Sequence, residues 1–112
     1  MIKMEVIIRH SRFEVVKHAL VNHGVHGLTV SEVKGFGKQG GHKEIYRGSE
    51  VRVDFNHKIK LEIVLESEKV KEVVDLIREA AVTGEVGDGK IFIYPLTDVI
   101  RIRTGESGRE AM

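Results

Sequence analysis

Ile2, Met4, Val6 and Ile8 alternate with Lys3, Glu5, Ile7 and Arg9, a period of two that predicts a strand with one buried face. Phe13, Val16 and Leu20 then recur at helical spacing. Ser11 with Glu14 three residues later has the form of a capping box before that helix, and Gly24 supplies its stop. Leu28 to Val33 is rich in Leu, Val, Thr and Ser and opens a second strand, where Glu32 beside Val33 breaks the alternation and predicts a bulge or a loss of pairing. The clearest strand follows at Lys58 to Leu65, with Ile59, Leu61, Ile63 and Leu65 on one face. Ser67 can cap a second helix whose Val70, Val73, Val74, Ile77 and Ala81 fall on one stripe before Thr83-Gly84 ends it. Ile91 to Tyr94 make a fourth main strand, closed by Pro95.

The order is β-α-β-β-α-β. Right-handed crossovers and short connections turn it into an antiparallel four-stranded sheet with two helices on one face, an α+β ferredoxin-like sandwich. One connection is not short: residues 35–57 hold more than twenty positions of weak periodicity where a simple hairpin belongs. Structureless connections of that length are uncommon in compact domains and usually carry function.

Composition narrows the class. A chain of 112 residues, 41% hydrophobic and 31% charged, fits one globular domain over residues 1–112 and excludes a disordered tail or a repeat array. At this length a core buries roughly 65% of the surface the unfolded chain exposes. With no cysteine, disulfide frameworks, thiolate zinc sites and cysteine nucleophiles are all removed, and a cytoplasmic location is the expectation. Charge within the first five residues, and no apolar run near the ~20 needed to cross a bilayer, argue against secretion and membrane insertion. Eighteen Lys plus Arg against 17 Asp plus Glu leave a net charge of +1, which gives no bulk reason to expect nucleic acid. An anion site has to be local.

Gly35-Phe36-Gly37-Lys38-Gln39-Gly40-Gly41 places four glycines in seven positions, so its backbone can present successive N–H groups to an anion, or serve as a hinge. It lacks the Gly-Lys-Ser/Thr ending of a P-loop. Gly84-Glu85-Val86-Gly87-Asp88-Gly89-Lys90 is a second such turn, leading into a strand; Asp88-Gly89 is equally an ordinary turn signal. Arg101 and Arg103, read as extended backbone, project to one side and repel unless an anion sits between them, and Lys90 could converge on the same phosphate chain. A solvated charged edge is the other reading of that pair. The six histidines show no metal motif, His23 and His26 flanking a turn without a carboxylate nearby in sequence. No Ser-His-Asp order or carboxylate pair suggests a catalytic centre.

Four segments together are more specific. Thr29-Val30-Ser31-Glu32-Val33-Lys34-Gly35-Phe36-Gly37-Lys38-Gln39, Tyr46-Arg47-Gly48, Thr83-Gly84-Glu85-Val86-Gly87-Asp88-Gly89-Lys90-Ile91-Phe92 and Arg101-Ile102-Arg103-Thr104-Gly105-Glu106 closely resemble the PII nitrogen-regulatory signal-transduction proteins, over about residues 1–106. The resemblance implies a homotrimer of ferredoxin-like subunits that binds ATP or ADP in clefts between neighbours, with 2-oxoglutarate as a second ligand. It implies a T-loop at about 37–55, a B-loop at 83–90 and a C-loop from about Arg101. Thr29, Gly35, Gly37, Lys38 and Val64 would surround adenine and ribose, and Gly87, Asp88, Gly89 and Lys90 would hold phosphates with Arg101 and Arg103 of the adjacent subunit. Gln39 looks like the side chain that ligates Mg²⁺ in the 2-oxoglutarate state, and Lys58 like the cation facing one of that ligand's carboxylates.

The implied function is a non-enzymatic sensor of nitrogen, carbon and energy status that regulates targets through its T-loop. An ammonium transporter, docked through Tyr46, Arg47 and Gly48, is the foremost partner; a paralogue acting on nitrogenase or a carbon-metabolism enzyme, with little 2-oxoglutarate response, is the alternative. Uridylylated members carry Tyr where this chain has Val51, which has no hydroxyl to modify. Ser49 resembles the seryl position phosphorylated in some members. Lys38 stands where Arg is common, Gly40 where a basic residue is common and His10 where Pro is usual. A nucleotide hydrolase would need a positioned general base that no motif supplies. An RNA-recognition module of the same element order would carry stacking aromatics on its third strand, and Lys58 to Glu66 has none.

Overall fold

The computed structural model describes residues 1–35, 42–46, 49–53 and 56–112. The elements are β1 (Ile2–Arg9), α1 (Phe13–Asn22), β2 (Leu28–Gly35), β3 (His42–Tyr46), β4 (Ser49–Val53), β5 (Asn56–Leu65), α2 (Val70–Ala81) and β6 (Gly89–Pro95). Strands β2, β5, β1 and β6 form one sheet in that order, and every neighbouring pair in it is antiparallel. This is the ferredoxin-like arrangement that the element order predicts.

The alternation in β1 and β5 decides which face the helices cover. Met4, Val6 and Ile8 of β1 and Ile59, Leu61, Ile63 and Leu65 of β5 are buried against Val16 and Leu20 of α1 and Val73, Ile77 and Ala81 of α2. Burying such a side chain contributes about 1.5–3 kcal/mol, so a one-residue slip of either central strand would turn the whole set to solvent. The register is held over the full length of β1, from Ile2 opposite Leu65 to Arg9 opposite Lys58.

Three local expectations are corrected. Neither serine caps its helix: α1 and α2 begin after the short 3-10 turns His10–Arg12 and Ser67–Lys69, with Arg12 and Lys69 at the N-cap positions and no side-chain cap bond. Phe13 N–H donates to the His10 carbonyl and Val70 N–H to that of Ser67, so tight backbone turns satisfy donors a capping hydroxyl would otherwise take. Second, β2 carries no bulge at Glu32, which pairs in unbroken register with Ile59. It lies on an edge strand with its side chain exposed, so continuing the ladder costs no buried charge. Third, the long connection after β2 contains paired backbone: β3 and β4 are antiparallel, from His42 opposite Val53 to Tyr46 opposite Ser49.

The predicted stop of α1 is present in detail. Gly24 has φ +95, its N–H donates to Val21 O at 3.0 Å and Val25 N–H donates to Leu20 O at 3.0 Å. That paired closure needs a left-handed residue, which glycine adopts without a Cβ penalty.

Candidate functional site

The 83–90 loop is built around one carboxylate. Asp88 Oδ2 accepts the N–H groups of Thr83 at 2.8 Å and Gly84 at 2.9 Å, and Oδ1 accepts the Thr83 hydroxyl and Arg9 Nε, the latter at 3.0 Å. Thr83 Oγ1 in turn accepts Glu85 N–H at 3.2 Å. The Thr83 hydroxyl, its backbone N–H, Arg9 and the Gly84 N–H, in that order, hold the Asp88 carboxyl well below the usual carboxylate range despite some desolvation. Asp88 therefore faces inward and shapes the loop.

Two cations clamp the loop from below. Arg9, the last residue of β1, also donates from Nη2 to Val86 O at 2.8 Å, and Lys58 Nζ of β5 donates to Gly87 O. Arg9 and Lys58 are opposite each other in the β1–β5 register. Burial, and then the Arg9 charge beside it, push the Lys58 ammonium below its ordinary value, with Asp88 opposing. The loop leaves toward β6 through Gly89, which has φ +108 and sits so close to β1 that a Cβ would lie 1.7 Å from Ile7 O. Only glycine fits there. Lys90 follows, exposed, opposite Ile7. A groove of about 320 Å³ opens beside it between α2 and β6.

Thr29 and Val64 lie at the other end of the sheet. Thr29 pairs with Glu62 and Val64 with Lys3, on the face away from the helices that Lys58 and Arg9 share. Val64 stands six positions along β5 from Lys58, about 20 Å of strand. Gly35, opposite Asn56, belongs to the Lys58 end. Gly37, Lys38, Gln39, Arg47 and Gly48 lie outside the described residues, and Tyr46 is described only as a strand position at the end of β3.

Arg101 and Arg103 are not two positions of one strand, because residues 102–104 form a turn. Gly105 N–H donates to Arg101 O and Arg101 N–H to Glu106 O, both at 2.8 Å, while Ile100 bridges Ser107. A turn thus stands on a short hairpin, and strand geometry does not relate the two side chains. Arg101 Nη1 is 3.2 Å from Glu106 Oε1, so its charge has a partner within the turn. Arg103 is exposed. No hydrogen bond or ion pair among the described residues joins either arginine to Lys90. The hairpin is rooted instead at the Val64 end: Gly108 N–H donates to Val99 O at 3.0 Å, and the next residue, Arg109, pairs with Glu66 Oε2 at 2.8 Å.

Sequence reasoning missed Arg9, which alternation placed on β1 without naming a partner, and the inward role of Asp88. It also left His23 without a carboxylate, whereas the fold brings Glu72 Oε1 to 3.2 Å from His23 Nε2. No group of three or more His, Cys, Asp or Glu among the described residues could hold a metal ion. Likewise, no described helix is long and apolar enough to cross a membrane.

Comparison with known proteins gives this geometry a context. Residues 1–106 match the family described as Nitrogen regulatory protein P-II. The chain is 58% identical over 110 residues to the Nitrogen regulatory protein P-II of Microchaete diplosiphon, covering 98% of each. It is 56% identical to that of Synechocystis sp. and 50% identical to that of Azospirillum brasilense, each over 110 residues and 98% of both chains. The solved structure of Arabidopsis thaliana PII bound to citrate superposes with a TM-score of 0.78 at 43% identity, covering 99% of this chain and 91% of that one.

Proposed function

The chain belongs to the Nitrogen regulatory protein P-II family, and from that premise we propose that it is a cytoplasmic, non-enzymatic sensor. As a homotrimer it binds ATP or ADP at its subunit boundaries and 2-oxoglutarate beside the nucleotide. The separation between the two ends of β5 is the observation that carries this reading. Along the sheet, Val64 stands about 20 Å from Lys58 and Thr29, opposite Glu62, about 13 Å from it on the same chain, which is too far for one base pocket and one phosphate cradle to be built from neighbouring side chains. Two copies solve the problem. One supplies Thr29, Val64, Arg101 and Arg103; the next supplies Gly35, Gly37, Lys38, Gly87, Gly89 and Lys90, with Asp88 holding the loop in shape.

The residues present suit a polyphosphate. Gly87 and Gly89 are both left-handed, so backbone N–H groups there can turn toward an anion, and Lys90 and Arg103 add exposed charge. Mg²⁺ would be carried by the triphosphate and Gln39, and would supply a coordination site that a 2-oxo acid can chelate. Lys58 would neutralise one carboxylate of that acid. The citrate in the Arabidopsis structure is likewise a polycarboxylate, and the fit of such a ligand to Lys58 is of the same chemical kind.

Signalling then passes through residues 37–55. Gly35, Gly37 and Lys38 root this loop at the nucleotide, so ligands that contact its base differently shift its population of shapes. The loop docks on an ammonium transporter through Tyr46, Arg47 and Gly48, more tightly with ADP, and is released by Mg-ATP with 2-oxoglutarate. Mixed trimers test the shared site. Lys90→Ala and Arg103→Ala chains should each bind ATP poorly alone, by about 1.5–3 kcal/mol per lost charged bond, whereas co-refolded mixtures regain tight sites where two intact halves meet. If mixing restores nothing, the shared site is wrong. A wild-type monomer, or no nucleotide binding, would remove the sensor reading altogether.

A further inference from the structure

We propose that Ile102 is the knob by which one copy of this chain seats on the next, and that the groove between α2 and β6 is its socket. Ile102 is 100% exposed, an isoleucine at the tip of a turn between two arginines. The turn is held by the Ile100–Ser107 bridge and by the 2.8 Å bonds joining Arg101 to Gly105 and Glu106. The backbone of the turn is already braced by these bonds, so a partner that covers Ile102 pays little further loop-ordering entropy.

The socket lies elsewhere on the chain. It has about 320 Å³ of space walled by Val74, Ile77, Ala81, Val82, Ile91 and Ile93. The full exposure of Ile102 means its own groove does not hold it. Knob and socket on different surfaces of one molecule allow a head-to-tail contact, which forms a ring where its rotation closes. A second copy is the occupant because of what lines the mouth: Asp88, Gly89 and Lys90 border the same groove. Seating Ile102 there carries Arg101 and Arg103 of one copy to the 83–90 loop of the next, and in this respect the inference rests on the shared site proposed above.

The contact also has an electrostatic condition. Lys90 and Arg78 at the rim face the exposed Arg103 of the incoming turn, so apolar seating brings like charges together. A polyphosphate between them removes that repulsion, and seating and nucleotide binding are positively linked.

The absence of natural cysteines makes the contact directly testable by disulfide trapping. Ile102→Cys chains are mixed with Val82→Cys chains, or with Glu14→Cys chains as a control on α1, and mildly oxidised with and without ATP. The expected result is a disulfide-linked dimer from the Ile102→Cys and Val82→Cys mixture, in higher yield with ATP, and none from the control. Ile102→Ser should weaken assembly roughly tenfold or more, the scale of 1.4 kcal/mol, as read by light scattering on dilution. A wild-type trimer that passes the mixed-trimer ATP test but gives no Ile102–Val82 link, or an Ile102→Ser protein that assembles as tightly as wild type, overturns the knob and leaves the shared site standing. Failure of the wild type to assemble or to bind ATP overturns both.

Discussion

Arg9 Nε meets Asp88 Oδ1 at 3.0 Å, a bond between residues 79 positions apart that ties the end of β1 to the 83–90 loop. Because Arg9 also holds Val86 O at 2.8 Å, one side chain fixes both a carboxylate and a carbonyl of the same loop. Both partners are only about one-fifth exposed, so water screens the pair less than it would a surface ion pair.

Removing Arg9 should therefore loosen the loop without disturbing the core. Arg9→Ala is expected to weaken nucleotide binding by about 1.5–3 kcal/mol while its far-ultraviolet circular dichroism stays that of wild type. Arg9→Lys should recover only part of the loss, since an ammonium cannot bridge two acceptors as a planar fork does. Calorimetric titration with ATP decides it, and full affinity in Arg9→Ala would show that the loop is set by Asp88 and Thr83 alone.

Gly89→Ala and Gly84→Ala should part company. Both positions have positive φ, but a Cβ at Gly89 would collide with Ile7 O, whereas one at Gly84 meets nothing within 4 Å. Gly84→Ala is expected to cost only the backbone penalty of about 1–2 kcal/mol, and Gly89→Ala upward of 4 kcal/mol, or to prevent folding. Urea melts of the two variants give the comparison, and equal midpoints would remove the steric account.

The 83–90 loop should resist acid. Because the folded Asp88 carboxyl is held below its unfolded value of about 3.9, the folded state binds this proton less readily. Its contribution to stability is then fully present above that unfolded value and is lost only as pH falls through the lower folded one. The Thr83 and Gly84 amide resonances should hold their shifts below pH ~3.9, where exposed carboxylates have titrated. An amide transition centred at the ordinary carboxylate value would contradict the inward placement of Asp88.

Lys58→Met should separate the two small ligands. It removes the ammonium while keeping apolar bulk at a buried position, so the expected outcome is loss of 2-oxoglutarate binding in the presence of Mg-ATP, with ATP alone still bound but more weakly, because the bond to Gly87 O is lost as well. Wild type should bind 2-oxoglutarate only with Mg-ATP. Titrations of both proteins with and without nucleotide measure this, and an unchanged 2-oxoglutarate affinity in the variant would take Lys58 out of that site.

Hydrophobic period determined the element order, the two helices and the core, because burial of Val6 or Leu61 is a local alternation that needs no knowledge of distant residues, and the rule for right-handed crossovers turned that order into the ferredoxin-like sheet. The glycine-rich 83–90 loop and its family motif were equally legible, since a left-handed turn such as Gly89 restricts which residue can stand there. What tertiary structure decided are the pairings across long separations. Arg9 finds Asp88, His23 finds Glu72 and Lys58 finds Gly87 only after strand register and helix packing have brought them together. It also decided local ends that sequence misread: 3-10 turns replaced the expected serine caps, and a closed turn at residues 102–104 replaced the extended run expected from Arg101 to Arg103. In each case several backbone solutions satisfy the same donors, and the packing of the neighbouring elements selects among them.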